Sequence, residues 1–393
     1  MTPLASSPPA AAAPRAGWGQ QGAFASGLAL VAALALQIAS RTPRLAVTFG
    51  IALLMGVALY HASFGFTAAY RRLLTQREVA AVRAQIVMLA LATLLFAPVL
   101  AAGSFAGREV VGAVASAGWQ VAAGAFLFGI GMQLANGCAS GTLYTGGGGS
   151  VRMLATLAAF CAGGFFASLQ MGWWQSLPVL ESRSLAQIAG WPTAVAIQLA
   201  ALGALWYLLG RIGRPALRQN VPPWRVVTGP WPWIAGAVVL AVLNFATLLV
   251  LGHPWSITWG FTLWGAKVAE ALGWNAQGSP FWAGAFQRHA LGASILEDAT
   301  SVMDIGIFLG AWVAATLAGR FRPSLRVGAR SLLAAAAGGL AMGYGARLAY
   351  GCNIGAFFSG VASTSLHGWL WIAAALPGNW VGIRLRARFG LGA

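Results

Sequence analysis

The chain contains two similar glycine–cysteine elements, each with one cysteine at the same position among glycines. They span residues 129–141 and 343–355, and Gly, Gly, Leu, Ala, Gly, Cys and Gly fall at the same spacing in both. The chain has three cysteines, and two of them, Cys138 and Cys352, occupy the same position in this element. A thiol is polarizable and is a weak S–H donor. The repetition therefore predicts a site for a soft atom such as sulfur, formed between two related parts of the chain.

The residues around each cysteine suit an anion. Glycines on both sides leave backbone N–H groups open to a ligand, and the polar side chains that follow, Ser140, Thr142 and Asn353, can cap a short helix. A helix N-terminus that points inward attracts negative charge. The predicted pathway residues of this group, besides the two cysteines, are Asn136, Gly137, Ser140, Gly141, Gly351, Asn353 and Gly355. Helix packing is the alternative reading of the glycines, and it is preferred for Gly129, Gly131, Gly343 and Gly345.

A weaker pair of motifs occurs in the same order relative to the two elements. Gly-Phe-Thr follows one apolar run at residues 65–67 and another at 260–262. A tripeptide match alone carries little weight, but the shared order suggests the same internal symmetry. Gly65, Thr67, Gly260 and Thr262 are therefore added to the predicted pathway.

Composition sets the protein class. Hydrophobic residues make up 59% of the chain and charged residues 8%, whereas soluble domains carry about 25% charged residues. Runs of about 20 apolar residues are long enough to span a bilayer. The sequence predicts an all-α integral membrane protein with about ten spans and with short or re-entrant half-helices near the midplane. The predicted spans are 22–40, 45–62, 84–103, 119–136, 150–172, 193–210, 232–251, 300–319, 331–350 and 366–383.

The net charge of +17 is explained by topology, and no nucleic-acid-binding motif accompanies it. Arginines cluster between apolar runs, as the positive-inside rule describes for cytoplasmic loops. An even number of predicted spans separates each cluster from the next, so both termini are predicted to be cytoplasmic. The clusters are Arg71, Arg72, Arg77 and Arg83; Arg211, Arg214, Arg218 and Arg225; Arg320, Arg322, Arg326 and Arg330; and Arg384, Arg386 and Arg388.

This topology orients the two glycine–cysteine spans in opposite directions, which is the arrangement of inverted-repeat transporters. The predicted organisation is a disordered tail (1–21), an extra span (22–44), a first inverted repeat (45–172), a linking span with a basic cytoplasmic loop (173–231) and a second inverted repeat (232–393). Residues 255–296 are expected to form short helices in or along the membrane, and the glycine run at 146–149 is expected to separate two helices.

Other chemistry for the thiols has less support. Three scattered cysteines and four histidines give no zinc-binding pattern, and no metal or other cofactor is predicted. Neither Cys138 nor Cys352 has a second cysteine at CxxC spacing, although a membrane thiol-disulfide redox protein stays an alternative. Cys161 is interpreted as a structural thiol.

Few acidic residues lie near the apolar runs. Asp304 falls near the start of a predicted span, and Glu297 and Asp298 precede it. Helix capping is the preferred role for these acids. Proton coupling through Asp304 is the alternative, because acids inside a membrane usually mark an ion or proton path.

The same residues resemble a known family. Asn136-Gly137-Cys138-Ala139-Ser140-Gly141 and Tyr350-Gly351-Cys352-Asn353-Ile354-Gly355 are similar to the paired signatures of the YeeE/YedE sulfur-transport family. The resemblance covers most of the chain after about residue 45. It implies an inner-membrane importer of thiosulfate in which pore cysteines, here Cys138 and Cys352, hand the ion along through S–H···S contacts.

One departure from the family leaves the substrate open. Family thiosulfate importers carry a further pathway cysteine in the first hairpin, and the stretch around Gly65 has none. A related sulfur or selenium species is the alternative substrate. The expectation is a non-enzymatic, multi-pass protein of a prokaryotic inner membrane that imports a small sulfur-containing anion. A cytoplasmic sulfur-carrier or rhodanese-like partner is implied by the resemblance alone.

Overall fold

The computed structural model describes residues 18–214, 225–323 and 326–392, and these ranges are predominantly helical. In chain order the helices are α1 (Trp18–Arg41), α2 (Pro43–Ala62), α3 (Phe66–Gln76), α4 (Ala80–Ala102), α5 (Trp119–Ala135), α6 (Ala139–Gly147), α7 (Val151–Leu169), α8 (Met171–Gln175), α9 (Leu185–Ala189), α10 (Trp191–Ile212), α11 (Trp233–Leu251), α12 (Thr258–Ala271), α13 (Ala285–Gly292), α14 (Ala299–Leu317), α15 (Ala329–Leu348), α16 (Ser359–Ala362) and α17 (Leu366–Arg386).

Short irregular elements complete the fold. A π-helical segment, Asn353–Phe358, runs directly into α16, and 3-10 turns form at Ala276–Gly278, Ile295–Glu297 and Ala387–Phe389. Two small antiparallel sheets lie outside the helices, and they pair β1 (Ser104–Phe105) with β2 (Arg108–Glu109) and β3 (Ser116–Gly118) with β4 (Val179–Ser182).

The prediction of an all-α membrane protein is confirmed. Each of the ten predicted spans coincides with one long helix: α1, α2, α4, α5, α7, α10, α11, α14, α15 or α17. In the described part of the chain, nine helices or helical stretches are long and apolar enough to cross a bilayer. The remaining predicted span is α17, whose 21 residues would reach about 31 Å, but whose sequence includes a histidine, an asparagine and two arginines.

Two expectations differ from the structure or fall outside it. The first helix begins at Trp18, inside the tail predicted for residues 1–21, because one helical turn, residues 18–21, precedes the apolar run. Residues 1–17 of that predicted tail lie outside the described residues, as does Arg218 of the second arginine cluster.

Glycines let the central helices approach backbone to backbone. Helices α5 and α15 run antiparallel, and a methyl group on Gly131 would lie 2.6 Å from the carbonyl oxygen of Gly338. On the same pair of helices, a methyl group on Gly124 would lie 2.5 Å from the carbonyl oxygen of Gly345. Glycines at such positions allow the close van der Waals contact that holds helices together in a bilayer. The packing interpretation is confirmed for Gly129, Gly131, Gly343 and Gly345, since a methyl group on any of them would overlap backbone atoms of a neighbouring helix.

The principal helix contacts come in related pairs. Helix α2 packs on α14 as α11 packs on α4, and α5 packs on α17 as α15 packs on α7. Among the shorter elements, α6 packs on α14 as α16 packs on α4, and α3 contacts α17 as α12 contacts α7. In each of these pairs of contacts, one helix comes from residues 43–169 and the other from residues 233–386. The second contact of a pair joins the two helices at the corresponding positions in the opposite range.

The short helices predicted within residues 255–296 and the helix break predicted at 146–149 are confirmed. Residues 255–296 form α12, α13 and two 3-10 turns, which pack through an aromatic cluster of Trp259, Trp274, Trp282, Phe165 and Phe281. The glycine run at 146–149 ends α6 at Gly147, and α7 begins at Val151.

Candidate functional site

The two glycine–cysteine loops adopt the same backbone path. Each follows a long helix, α5 or α15, and leads into a short one. Asn136 has φ 62° and Tyr350 has φ 57°, so each loop turns through a left-handed residue two positions before its cysteine. Cys138 and Cys352 are then extended and form the N-caps of the short helices that follow. Gly351 has φ 148°, a conformation that favours glycine.

Both thiols are enclosed by the protein. Cys138 is 1% exposed and Cys352 is 0% exposed. The Cys138 sulfur lies 3.4 Å from Ser140 Oγ, and the N–H groups of Phe66 and Gly141 point toward it. The N–H of Ile354 donates to Cys352 Sγ at 3.4 Å. Because Cys352 Sγ accepts this N–H, its S–H hydrogen is left to donate to another group, whereas Cys138 Sγ can donate to Ser140 Oγ or accept from it.

None of the predicted capping side chains caps a short helix. The side chains of Ser140 and Thr142 are not N-caps, and Thr142 Oγ1 instead donates to the Cys138 carbonyl at 2.9 Å. Asn353 is fully buried, and neither its amide nitrogen nor its amide oxygen has a hydrogen-bond partner among the described residues. The cap of this second helix is Cys352 itself, whose sulfur accepts the N–H two residues ahead.

Glycines keep the space beside each thiol free of side chains. A methyl group on Gly141 would lie 3.5 Å from Cys138 Sγ, and one on Gly355 would lie 3.3 Å from Ser256 Oγ. One on Gly137 would lie 3.3 Å from Met153 Sδ. These glycines differ from the packing glycines of α5 and α15, because the nearest atoms they face belong to side chains and not to the backbone of a neighbouring helix.

The two Gly-Phe-Thr motifs stand at the first turns of short helices. Gly65 is the N-cap of α3, and Gly260 lies in the first turn of α12. A methyl group on Gly65 would lie 3.0 Å from the Tyr144 hydroxyl, and one on Gly260 would lie 2.6 Å from Asp304 Oδ2. The predicted pathway threonines are also buried: the hydroxyl of Thr67 has no partner in the described structure, and that of Thr262 donates to the Thr258 carbonyl at 3.1 Å.

Several contacts bring these first turns together. The Phe66 N–H at the start of α3 faces the Cys138 sulfur, and the Cys138 and Cys352 side chains are near enough to interact electrostatically. Tyr70, one turn further along α3, lies beside Asn353 and Cys138. On the other side, Ser256 just before α12 faces Gly355. The N-terminal ends of α3, α6, α12 and the segment 353–362 therefore surround one buried region.

Polar groups without partners concentrate in this region. Within the described residues, the Tyr70 hydroxyl, both carboxylate oxygens of Asp304, the Thr67 hydroxyl and the Asn353 amide have no hydrogen-bond partner. Buried polar groups are normally paired, since an unpaired one is costly. A cluster of such groups indicates a site where a polar ligand or water forms the missing hydrogen bonds.

Sequence reasoning missed one member of this cluster and misassigned another. Tyr70 was not predicted, although its spacing from Phe66 and Thr67 places it on the same side of a helix. Asp304 is not a helix cap: Asp298 holds that position and accepts the N–H of Ser301 at 2.7 Å. The capping prediction is therefore confirmed for Asp298 and wrong for Asp304, which lies inside α14 and is 0% exposed.

Asn136 is held by arginines at the end of α5. Its side-chain oxygen accepts from Arg71 at 2.7 Å and from Arg386 at 3.4 Å. Arg386 also donates to the Gln133 carbonyl at 2.7 Å, and Arg152 donates to the Leu134 carbonyl at 2.8 Å. Cations at a helix C-terminus compensate its unpaired carbonyls and its negative dipole end.

Two cavities open at opposite ends of α15. The larger, of about 580 Å³, lies near the start of α15 and is lined by Tyr60, Tyr144, Arg152, Arg320, Arg322 and Arg326 among others. The smaller, of about 280 Å³, lies at the other end and is lined by Ser256, Thr262, Arg347 and Tyr350 among others. Each cavity contains arginine. The second glycine–cysteine loop borders the smaller cavity through Tyr350, and Arg152 of the larger cavity donates to the Leu134 carbonyl near the end of α5.

The thiols do not belong to a group of metal-binding side chains in the described part of the chain. No three His, Cys, Asp or Glu side chains there come close enough to hold a metal ion. All three cysteines are free thiols, and Cys161 lies half-buried in α7, where its carbonyl faces Gly265 of α12.

The sequence is similar to known transport proteins, and the family match covers the region that contains both glycine–cysteine loops. The profile of the Sulphur transport family matches residues 61–381. The chain is 33% identical over 155 residues to the probable transporter YedE of Salmonella typhimurium, which is 39% of this chain and 37% of that protein. It is 31% identical over 277 residues to the thiosulfate transporter TsuA of Spirochaeta thermophila, which is 65% of this chain and 74% of that protein. It is also 26% identical over 277 residues to the TsuA of Escherichia coli K12, which is 65% of this chain and 71% of that protein.

The aligned part of the chain thus spans well under half of the YedE relative and about three quarters of the Spirochaeta TsuA. The matched residues include both glycine–cysteine loops and both Gly-Phe-Thr motifs. The shared backbone path and buried thiols of the two loops agree with the family profile match. The match shows that the chain belongs to the Sulphur transport family.

Proposed function

We propose that this protein imports thiosulfate or a closely related sulfur-containing anion across a prokaryotic inner membrane. The observation that carries the proposal is the meeting of two buried thiols, Cys138 and Cys352, at the N-terminal ends of four short helical segments. Two relatives are named thiosulfate transporters. Both the paired thiols and the relatives support a sulfur anion as the substrate.

The chemistry of the buried region suits such an anion. Helix N-termini present N–H groups and positive dipole ends, which stabilise the negative charge on the oxygen atoms of an oxyanion. The two S–H groups are weak donors with polarizable sulfur, and they match the terminal sulfur of thiosulfate. In our proposal the anion passes Cys352 and Cys138 in turn, with Gly141 and Gly355 leaving room beside the thiols.

The pathway lies, in our proposal, between two inverted repeats at 45–172 and 232–393. The exchanged helix contacts support this division, and so do the left-handed backbone positions. These positions recur after equivalent helices: Ser63 and Gly252, Arg77 and Gly273, Gly103 and Gly319, Asn136 and Tyr350, and Gly149 and Thr364. Repeats of opposite orientation put a substrate site near the membrane midplane.

The arginine distribution supports an orientation. With the clusters around Arg71, Arg211, Arg320 and Arg384 in the cytoplasm, the cavity of about 580 Å³ is the inner mouth and that of about 280 Å³ is the outer mouth. Both termini are then cytoplasmic. A sulfur-carrier or rhodanese-like protein in the cytoplasm would consume the anion and keep uptake running downhill.

Uptake by cells tests the proposal. A host that lacks its own sulfur importers would express this chain and receive thiosulfate, sulfite, sulfate or selenite as separate supplements, with labelled uptake measured beside growth. We expect uptake of thiosulfate above an empty-vector host. Uptake of selenite alone would favour the selenium alternative, and no uptake of any of these anions would contradict transport of this substrate class.

A further inference from the structure

Asp304 is an acidic side chain inside the helix bundle that the pathway described above does not use. It lies in the second turn of α14, and the residue is 0% exposed. Neither carboxylate oxygen has a hydrogen-bond partner among the described residues. Intramembrane acids are costly and usually mark an ion or proton path.

The carboxyl group stands next to the candidate pathway. A methyl group on Gly260 would lie 2.6 Å from Asp304 Oδ2, so the absence of a side chain at Gly260 leaves the carboxyl its space. Gly260 lies between Thr258 and Thr262 of α12, and both threonines line the cavity of about 280 Å³. Asp304 also interacts electrostatically with the Cys352 thiol.

Few other charged or titratable groups face this carboxyl. The two thiols that interact with it are Cys352 and Cys161 of α7. On its own helix, Asp298 interacts with it through space but is engaged by the Ser301 N–H at 2.7 Å and by Trp259 Nε1 at 2.9 Å. None of these groups is a cation that would stabilise an ionised Asp304.

Cations on the helices that pack against α14 are committed elsewhere. Helices α1, α2, α6 and α12 make those contacts. Their charged or titratable side chains have partners away from Asp304, line the larger cavity or lie at the surface: Arg41 pairs with Glu297, Arg44 donates to the carbonyls of Val250 and Leu251, Tyr60 lines the cavity of about 580 Å³, His61 packs on Trp231, the Tyr144 hydroxyl faces Gly65, Lys267 donates to the carbonyls of Leu291 and Ala293, and Glu270 is exposed.

We propose that Asp304 binds and releases one proton in each transport cycle, so that anion uptake is coupled to inward proton movement. This inference rests on the proposed function. An anion beside Cys352 and an ionised Asp304 would repel each other across a region of low dielectric constant. The anion therefore occupies that position only when the carboxyl is neutral, and each ligand strengthens the binding of the other by the same factor.

The proton balance of the cycle is simple. Asp304 takes a proton from the outer side to form the neutral acid, and the anion then enters beside Cys352. When the anion moves on to the inner side, the acid releases its proton to the cytoplasm and the carboxylate is ready for the next proton. One anion and one proton cross together, and no other reactant is consumed.

The first half of the chain has no matching acid. Gly103 and Gly319 have left-handed backbone and follow the corresponding helices α4 and α14. Met88 precedes Gly103 by the same number of residues as Asp304 precedes Gly319, so Met88 is the residue that corresponds to Asp304. Met88 is 0% exposed. The equivalent site in the other half is therefore apolar, which places the proposed proton site on one side of the pathway only.

Purified protein in sealed vesicles tests the coupling. Thiosulfate would be added outside with the membrane potential clamped at zero, and both labelled uptake and internal pH would be followed. With one proton per anion, an outside pH one unit more acidic should raise the steady accumulation of thiosulfate by about tenfold, and protons should enter with the anion. The accumulation ratio does not depend on the transport rate, so a slow variant does not imitate an uncoupled one.

The variants separate the possible results. Asp304→Asn should accumulate thiosulfate to the same level with and without the pH gradient, whereas the control Asp298→Asn should respond like the wild type. If Asp304→Asn does not insert, Asp304→Met, which copies the residue at Met88, replaces it. Accumulation by a neutral variant that still follows the pH gradient would overturn the assignment of Asp304. Wild-type uptake without proton entry would overturn the coupling alone, and no wild-type uptake at all would overturn the proposed function together with it.

Discussion

Cys138 and Cys352 each form the N-cap of a short helical segment, directly after a glycine and two positions after a residue with left-handed backbone. Both side chains are buried and lie near each other. Sequence-related positions that fold alike and then meet are expected when two repeats share one site. The following predictions start from that relationship.

Replacing either paired cysteine by alanine should reduce thiosulfate uptake strongly. Alanine removes the S–H donor where water does not replace it, and a hydrogen bond to a charged group contributes about 1.5–3 kcal/mol. That range corresponds to roughly a 10- to 150-fold slower rate if the contact acts in the limiting step. Initial uptake rates of Cys138→Ala and Cys352→Ala, normalised to protein in the membrane, check this.

Two further variants serve as controls for the thiols. Cys161→Ala should have a much smaller effect, because Cys161 lies within α7 and belongs to neither glycine–cysteine loop. Equal damage from this variant would contradict the repeat-based assignment. Serine at positions 138 and 352 keeps a hydroxyl donor but lacks the polarizability of sulfur, so full uptake by those variants would contradict the soft-atom interpretation.

A methyl group beside a thiol should impair uptake with little effect on stability. Gly141→Ala and Gly355→Ala place that methyl 3.5 Å from Cys138 Sγ and 3.3 Å from Ser256 Oγ, so it fits but narrows the space beside the sulfur. We expect a several-fold lower uptake rate and an unchanged melting temperature in detergent. Wild-type uptake by both variants would show that the space beside the thiols is not used by the substrate.

A methyl group between α5 and α15 should have the opposite effect. Gly131→Ala places it 2.6 Å from the Gly338 carbonyl oxygen, and the two helices must move apart to accept it. Overpacking of this kind costs about 1–3 kcal/mol. A lower melting temperature than that of Gly141→Ala, measured on purified protein in the same detergent, is the expected result; equal melting temperatures would argue against close packing of these helices.

Reporter fusions should place the basic loops in the cytoplasm. Fusions after Arg214, after Arg326 and after Gly392 are expected to give a cytoplasmic signal, because arginine-rich loops are retained on that side. A fusion near Gly107, in the turn between β1 and β2, should report the opposite side. An external signal after Arg214 would contradict the opposite orientation of the two glycine–cysteine spans.

The state of the thiols separates transport from redox chemistry. In a transporter, Cys138 and Cys352 stay reduced while the substrate passes. A redox protein would cycle them through a disulfide. Alkylation of cells during uptake, followed by mass analysis of the two cysteine peptides, should find both thiols reduced throughout. A disulfide between them that forms and disappears with turnover would support the redox alternative.

The sequence by itself determined the membrane class, the long helices and the two thiol loops. Apolar runs of bilayer length have few folding options, since every backbone polar group must be bonded within the segment. The spans predicted at 84–103 and 300–319 therefore coincide with α4 and α14. The spacing shared by residues 129–141 and 343–355 also identified loops that share one backbone path, because the same local chain meets the same local constraints.

Only the tertiary structure decided which side chains share the buried region. Tyr70 and Asp304 reach it through helix packing, which depends on contacts between residues distant in sequence and leaves no local pattern. For Asp304, proximity to Asp298 suggested a helix cap, yet the chain caps α14 with Asp298 and turns Asp304 inward against Gly260. In the sequence alone, an acid that caps a helix looks the same as an acid that is buried in the second turn, and only packing distinguishes them.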